Sequence, residues 1–135
     1  MKVYLSVPIV ANRNAERAKA MGRAIVDAGH EITSPWVLEP FQGPAGSAPD
    51  VFGRDKRGVE TSDVVVADVS SPSIGVGMEV MAAHILGKRI VVVIARGSVV
   101  SRMLTQMEPK ETIEFDGNED LYRELRLALG SPDRP

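Results

Sequence analysis

A layered α/β domain, with a parallel sheet of five strands flanked by helices, is the fold class this sequence predicts. Two observations carry that expectation. Asp63-Val64-Val65-Val66-Ala67-Asp68 strings β-branched residues together, which suits a strand covered on both faces of a parallel sheet. Elsewhere short apolar runs alternate with stretches of helical periodicity, the pattern of successive strand-helix units. At 135 residues and 44% hydrophobic content the chain suffices for one domain, residues 1–135, with its own core.

In chain order, residues 3–7 form an apolar strand that Pro8 ends, because proline cannot donate to a neighbouring strand. Residues 13–28 follow as a helix. Ala18, Met21, Ala24, Ile25 and Ala28 recur at helical spacing, Asn12 or Asn14 offers a cap, and Gly29 a stop. Residues 30–34 make a weaker strand. Residues 35–49, with four prolines, two glycines and one Trp, read as a long loop of the kind that covers or binds a ligand. A helix over 51–61 precedes the central strand at 63–68. Then come a helix at 75–86, a buried strand at 89–94, a helix at 99–106, an exposed strand at 111–115 and a helix at 118–129. In the last of these Leu121, Leu125, Ala128 and Leu129 face inward. The tail from Gly130 to Pro135 is expected to fray. Flavodoxin-like strand order is the expectation. Ligands then belong beyond the carboxyl ends of the strands, at the loops after Leu5, Ser34 and Asp68.

Composition removes several classes of function. Sixteen basic and eighteen acidic residues give a net charge of -2 without long blocks of either sign, so a nucleic-acid polymer is not an expected partner. With no cysteine there is no disulfide scaffold, thiol nucleophile or thiolate metal site. His30 and His84 have no partner at ligand spacing, and no metal is expected. No window approaches ~18 uninterrupted apolar residues, and the expected location is the cytoplasm, away from the membrane.

Chemistry concentrates in Asp68-Val69-Ser70-Ser71-Pro72-Ser73-Ile74-Gly75-Val76-Gly77-Met78-Glu79, which leaves the central strand and enters a helix. Gly75 and Gly77 let a ligand approach the backbone, and free N–H groups at the helix start, with the Ser73 hydroxyl, suit an anion. The same residues also suit an ordinary helix start. Glu79 lies in the second turn, where the helix field favours the ionised carboxylate, in the company of Met78, Val80, Met81 and Ala82. An ionised Glu beside an anomeric carbon attacks it or stabilises its oxocarbenium-like transition state, while a second carboxyl group assists the leaving group. For that second group Asp55, Asp63 and Asp68 are the candidates. Topology puts Asp63 at the wrong end of the strand, and Asp68 equally suits a role receiving loop N–H bonds. Tyr4 is either packed within the first strand or presents its hydroxyl to substrate. Trp36 and Phe41 could stack on a planar base or pin the loop.

The stretch from Asp63 to Glu79, continuing to Gly87-Lys88-Arg89-Ile90, resembles the nucleoside 2-deoxyribosyltransferase superfamily, closest to its branch of 2'-deoxynucleoside 5'-phosphate N-hydrolases. Pro72-Ser73-Ile74-Gly75-Val76-Gly77-Met78-Glu79 is the specific part, with a thinner likeness from Tyr4 to the last helix. The resemblance implies Glu79 as nucleophile and Asp55, eight residues before Asp63, as the aspartate that protonates the departing base. It implies Tyr4 near the reacting sugar, Ser73 and Gly75 at the 5'-phosphate, and Ser101 reaching the phosphate held by a neighbouring subunit. A homodimer with shared active sites, a small nucleotide substrate and no cofactor follow from the same likeness.

The first loop departs from the family. Where the hydrolases share Gly-Ser-Ile-Arg-Gly-Gly, this chain has Val7-Pro8-Ile9-Val10-Ala11-Asn12, so a serine and a phosphate-facing arginine are missing. Asn12 or Arg13 stands one turn away as a substitute. The expected reaction is hydrolysis of 2'-deoxynucleoside 5'-monophosphates to 2-deoxyribose 5-phosphate and free base. The alternatives are transfer to another base, N-ribosidase action on a ribo- or modified nucleotide, and a non-catalytic nucleotide-binding module.

Overall fold

The computed structural model describes residues 1–40 and 50–130. Among them, strands β1 (Lys2–Ser6), β2 (Glu31–Ile32), β3 (Val64–Asp68), β4 (Arg89–Ala95) and β5 (Glu111–Phe115) form one sheet in the order β2-β1-β3-β4-β5. Every neighbouring pair is parallel. This is the flavodoxin-like order expected from the sequence, and it leaves β3 in the middle, buried at every residue.

Helices α1 (Ala15–Asp27), α2 (Val51–Glu60), α3 (Ile74–Ile85), α4 (Arg102–Gln106) and α5 (Gly117–Leu129) complete the layers. Side chains alternate across each strand, so the sheet divides its apolar residues between two cores. Val3, Leu5, Val64, Val66, Val91 and Val93 pack with Met21 and Ile25 of α1 and Leu121 and Leu125 of α5. Tyr4, Val65, Ala67, Ile90 and Val92 pack on the opposite face with Val59 of α2 and Val76, Val80 and Ala83 of α3. Burying some 150–250 Å² of an aromatic ring makes Tyr4 a large contributor to the second core.

Helix boundaries follow the chemistry of their caps. Asn14, rather than Asn12, caps α1 by accepting from the Arg17 N–H, and Gly29 follows the helix at φ 90°, where a side chain would be strained. The helix expected over 99–106 begins only at Arg102, because the Ser101 hydroxyl caps it by accepting from the Met103 N–H. Residues Pro35–Leu38 of the expected loop form a 3-10 turn with the proline at its start. Phe41 and the rest of the 41–49 segment lie outside the described residues, as does the tail beyond Gly130. No described helix is long and apolar enough to cross a membrane.

Candidate active site

Period-two alternation along β1 puts Tyr4 and Ser6 on the same sheet face, toward α2 and α3, with Ser6 at the carboxyl end. The Leu5 backbone between them is clamped from the other edge: its N–H donates to Ser34 Oγ, and that hydroxyl donates to the Leu5 carbonyl, both at 2.8 Å. Tyr4 and Ser6 are fully buried. Their hydroxyls have a fixed backbone behind them.

Glu79 comes from α3. Ser73 starts that helix by accepting from the Val76 N–H at 3.3 Å. Glu79 is three residues after buried Val76 and four before buried Ala83, and these spacings share one helical face. The face carries Glu79 against β1. One carboxylate oxygen accepts from the Tyr4 hydroxyl and the other from Ser6 Oγ at 2.7 Å.

Burial pushes the Glu79 carboxyl up to about 7, and the negative charge of Asp55 adds to it, while the two hydroxyl donors and the Arg54 cation act the other way. The helix field was expected to favour the ionised form; desolvation outweighs it. Tyr4 is raised far above the ordinary phenol range, first by burial and then by the adjacent Glu79 charge, so it stays a neutral donor.

Asp55 lies on α2, close enough for its charge to raise both Glu79 and Tyr4. Its Oδ1 receives the Arg54 Nε–H at 2.9 Å. The Arg54 guanidinium carbon sits 4.3 Å from the Trp36 ring centroid, and Trp36 meets Tyr4 edge-on, with centroids 6.3 Å apart at 65°. Trp36, considered from the sequence as a cover for a base, thus has the Arg54 cation over its ring.

The other two aspartates have structural partners. Asp68 accepts from the Ser70 N–H at 3.0 Å and pairs with Arg17 at 3.2 Å. Asp63, at the amino end of the sheet, accepts from the Lys2 N–H at 2.8 Å.

The anion-binding candidates lie along the same strand-end loops. Gly75 and Gly77 open α3, and a Cβ added at either would meet nothing within 4 Å, so packing of the described residues does not require glycine there. Ser73 Oγ accepts from the Val76 N–H in capping α3, a role that uses a lone pair and not its O–H, and Ser101 is an exposed cap of α4. Asn12, at φ 61°, donates from Nδ2 to the Pro72 carbonyl at 3.0 Å, tying the first loop to the turn before α3. Arg13 donates from Nη2 to the Glu39 carbonyl at 2.5 Å. The structure therefore joins Tyr4 and Glu79 by a hydrogen bond with Asp55 nearby. Among the described residues it links none of Ser73, Gly75, Gly77, Ser101, Asn12 or Arg13 to that group by a hydrogen bond.

His30 is buried between the Met1 amine and the Leu129 carbonyl, and His84 is exposed on α3. No group of three or more His, Asp or Glu among the described residues is placed to hold a metal ion.

No family model matches the chain. A Thermofilum pendens protein named as a 2'-deoxynucleoside 5'-phosphate N-hydrolase 1 is 35% identical over 99 residues, covering 71% of this chain and 69% of that relative. One of the same name from Methanococcoides burtonii is 33% identical over 108 residues, 77% of this chain and 88% of the relative. The chain belongs to the 2'-deoxynucleoside 5'-phosphate N-hydrolase family. Its fold is shared more widely. A CMP N-glycosidase of Clostridium botulinum superposes with a TM-score of 0.69 at 17% identity, over 93% of this chain and 98% of that one. A 2-deoxyribosyltransferase of Bacillus psychrosaccharolyticus gives 0.63 at 21%, over 97% of each.

Two residues of this N-hydrolase family member escaped the sequence reading. Ser6 had a signal, since a residue two places from Tyr4 on a strand must share its face. Arg54 had none beyond standing next to Asp55, because its stacking partner Trp36 lies far along the chain.

Proposed function

We propose that this chain hydrolyses the N-glycosidic bond of 2'-deoxynucleoside 5'-monophosphates, releasing free base and 2-deoxyribose 5-phosphate. The single observation that carries the reading is Glu79, gripped through both oxygens by Tyr4 and Ser6 at the ligand edge of the sheet, with Asp55 nearby. Relatives named as N-hydrolases of such nucleotides support the substrate class.

In this reading ionised Glu79 attacks C1' while Asp55, which carries a proton in the reacting complex, gives it to the departing base, so the glycosidic electron pair leaves with the base. Asp55, now ionised, takes a proton from water, which displaces Glu79 from C1' and regenerates both carboxyl groups. The two hydroxyl donors limit the wandering of the nucleophile and favour its charged form. The Ser73 O–H and the N–H groups of Ile74 and Gly75 hold the 5'-phosphate at the start of α3, Gly77 leaves room for its approach while its own N–H bonds the Ser73 carbonyl at 3.1 Å, and Asn12 and Arg13 stand on the first loop.

The active assembly is a homodimer in which Ser101 reaches the neighbouring phosphate. A stripe of exposed apolar side chains on α3 supports a second copy: Ile74, Met78, Met81 and Ile85 recur at helical spacing and are 86%, 56%, 40% and 75% exposed.

A chromatographic screen of deoxy and ribo nucleosides and monophosphates tests the reading. Free base together with deoxyribose 5-phosphate is the expected result. A new nucleoside formed with an added base would mean transfer, release from ribonucleotides alone would mean a ribosidase, and saturable binding without release over hours would mean a binding module. Near-parental rates for Glu79→Ala on every substrate would overturn the mechanism.

A further inference from the structure

We propose that Arg54 is a positioning residue: stacked on Trp36 and paired with Asp55, it fixes the direction in which the Asp55 carboxyl meets the departing base. The inference rests on the hydrolase reading above and adds to it the pair of residues that orients the acid.

Consecutive residues on a helix diverge by roughly 100° and do not ordinarily face each other. Arg54 and Asp55 nevertheless pair at 2.9 Å within α2. The Arg54 side chain must therefore fold across the helix surface, and a contact outside the helix must hold it there. Trp36 supplies that contact, with its ring 4.3 Å from the guanidinium carbon. Both members of the ion pair are only partly exposed, 29% and 26% at their side chains.

The support continues inward. Trp36 leans its edge on Tyr4. Both rings approach α2 at Gly58, where a Cβ would stand 2.7 Å from Tyr4 Cε2 and 3.3 Å from Trp36 Cη2. Tyr4 in turn donates to Glu79. A continuous set of contacts, Glu79 to Tyr4 to Trp36 to Arg54 to Asp55, thus connects the proposed nucleophile with the proposed acid. Arg54 suits this through its fork: the guanidinium lies over the ring while its Nε–H bonds the carboxylate, whereas a lysine ammonium is a compact, strongly hydrated point charge on a flexible stem.

The charged and titratable groups acting on Glu79 are Tyr4 from β1 and Asp55 and Arg54 from α2. The pH profile is therefore a readout that a purely structural role would leave in place. The test measures base release from dAMP, dGMP, dCMP and dTMP against pH for the full chain and for Arg54→Met, Arg54→Lys, Trp36→Leu and Arg54→Met/Trp36→Leu, each checked by thermal melting.

Arg54→Met keeps the apolar stem but loses fork and charge. Its kcat should fall at least 10-fold with KM within about 3-fold, and the acid limb of its profile should move to higher pH. Trp36→Leu removes no charge and should lower kcat in the same direction. The double variant should lose less than the product of the two single losses, because Trp36 and Arg54 act on the same Asp55 carboxyl. If Arg54→Met does not fold, Arg54→Lys decides, with a loss of at least 5-fold expected.

Parental kcat and an unmoved acid limb in the folded Arg54 variants would overturn the proposal. So would a double variant whose loss equals the product of the single losses. If Glu79→Gln and Asp55→Asn abolish release while Arg54 variants match the parent, only this inference falls. Release unaffected by Glu79→Gln and Asp55→Asn, or none by the parent, removes the hydrolase reading itself and this one with it.

Discussion

Ser6 Oγ donates to a Glu79 carboxylate oxygen at 2.7 Å across a chain separation of 73 residues. The other oxygen accepts from Tyr4, so two hydroxyls on one face of β1 share the two ends of one carboxylate. A carboxylate held this way keeps its orientation. Each donor also offsets part of the burial that raises its proton affinity.

Removing either donor should therefore cost activity mainly at low pH. Ser6→Ala and Tyr4→Phe are each expected to move the acid limb of kcat/KM upward and to lower the rate about 10-fold at pH 6, with much of it regained near pH 8.5. Initial-rate profiles of base release check this. Equal losses at every pH would mean that these hydroxyls do not control Glu79 ionisation.

With the Glu79 carboxyl at about 7 in the folded chain, the parental rate should rise with pH through neutrality as the proposed nucleophile ionises. Stability should run the other way. Glu79 keeps its proton in the folded state between its ordinary value of 4.5 and about 7, whereas the unfolded chain has already released it, so rising pH in that window favours unfolding. Glu79→Gln should consequently be more stable than the parent by about 3 kcal/mol at pH 8 and nearly equal to it at pH 4. Urea unfolding at the two pH values measures the difference.

Asp68 presents the opposite case, a buried carboxylate whose partners are structural. Asp68→Ala leaves the Arg17 cation, whose side chain is 19% exposed, without its counterion and should cost about 3 kcal/mol. Molecules that remain folded should still release base. A loss of stability under 1 kcal/mol would mean that water compensates Arg17 fully.

A methyl group at Gly58 would enter the Tyr4 ring space at 2.7 Å. Gly58→Ala should therefore destabilise the fold by about 1–3 kcal/mol and lower base release by displacing Tyr4 from Glu79. Denaturation and rate measurements on one preparation test both halves.

The apolar stripe on α3 sets an expectation for assembly. Sedimentation should find the parent chain as a dimer, and Ile85→Glu, at a position 75% exposed, should yield monomers with weakened nucleotide binding. A monomeric parent at assay concentration would refute the shared-site reading.

Much of the fold was legible because its signals are local. Val64, Val65 and Val66 announce a buried strand by shape alone, and residues 111–115 coincide with β5. Boundaries shifted where one hydrogen bond decides: the Ser101 cap delays α4, and Asn14 rather than Asn12 opens α1. The Gly75–Glu79 turn was also readable, being contiguous in sequence. Ser6 was only partly so, and Arg54 not at all.

By itself the sequence determined the layered parallel sheet and the family, because side-chain periodicity and a contiguous motif need no knowledge of distant neighbours. Tertiary structure decided what surrounds Glu79. Its proton affinity depends on burial, on two hydroxyls from β1 and on opposing charges from α2, and these act through distances that only the closed fold sets. The same holds for the three aspartates. Asp63 and Asp68 were assigned their partners by packing, and Asp55 acquired Arg54 because Trp36, from another part of the chain, holds the guanidinium in place.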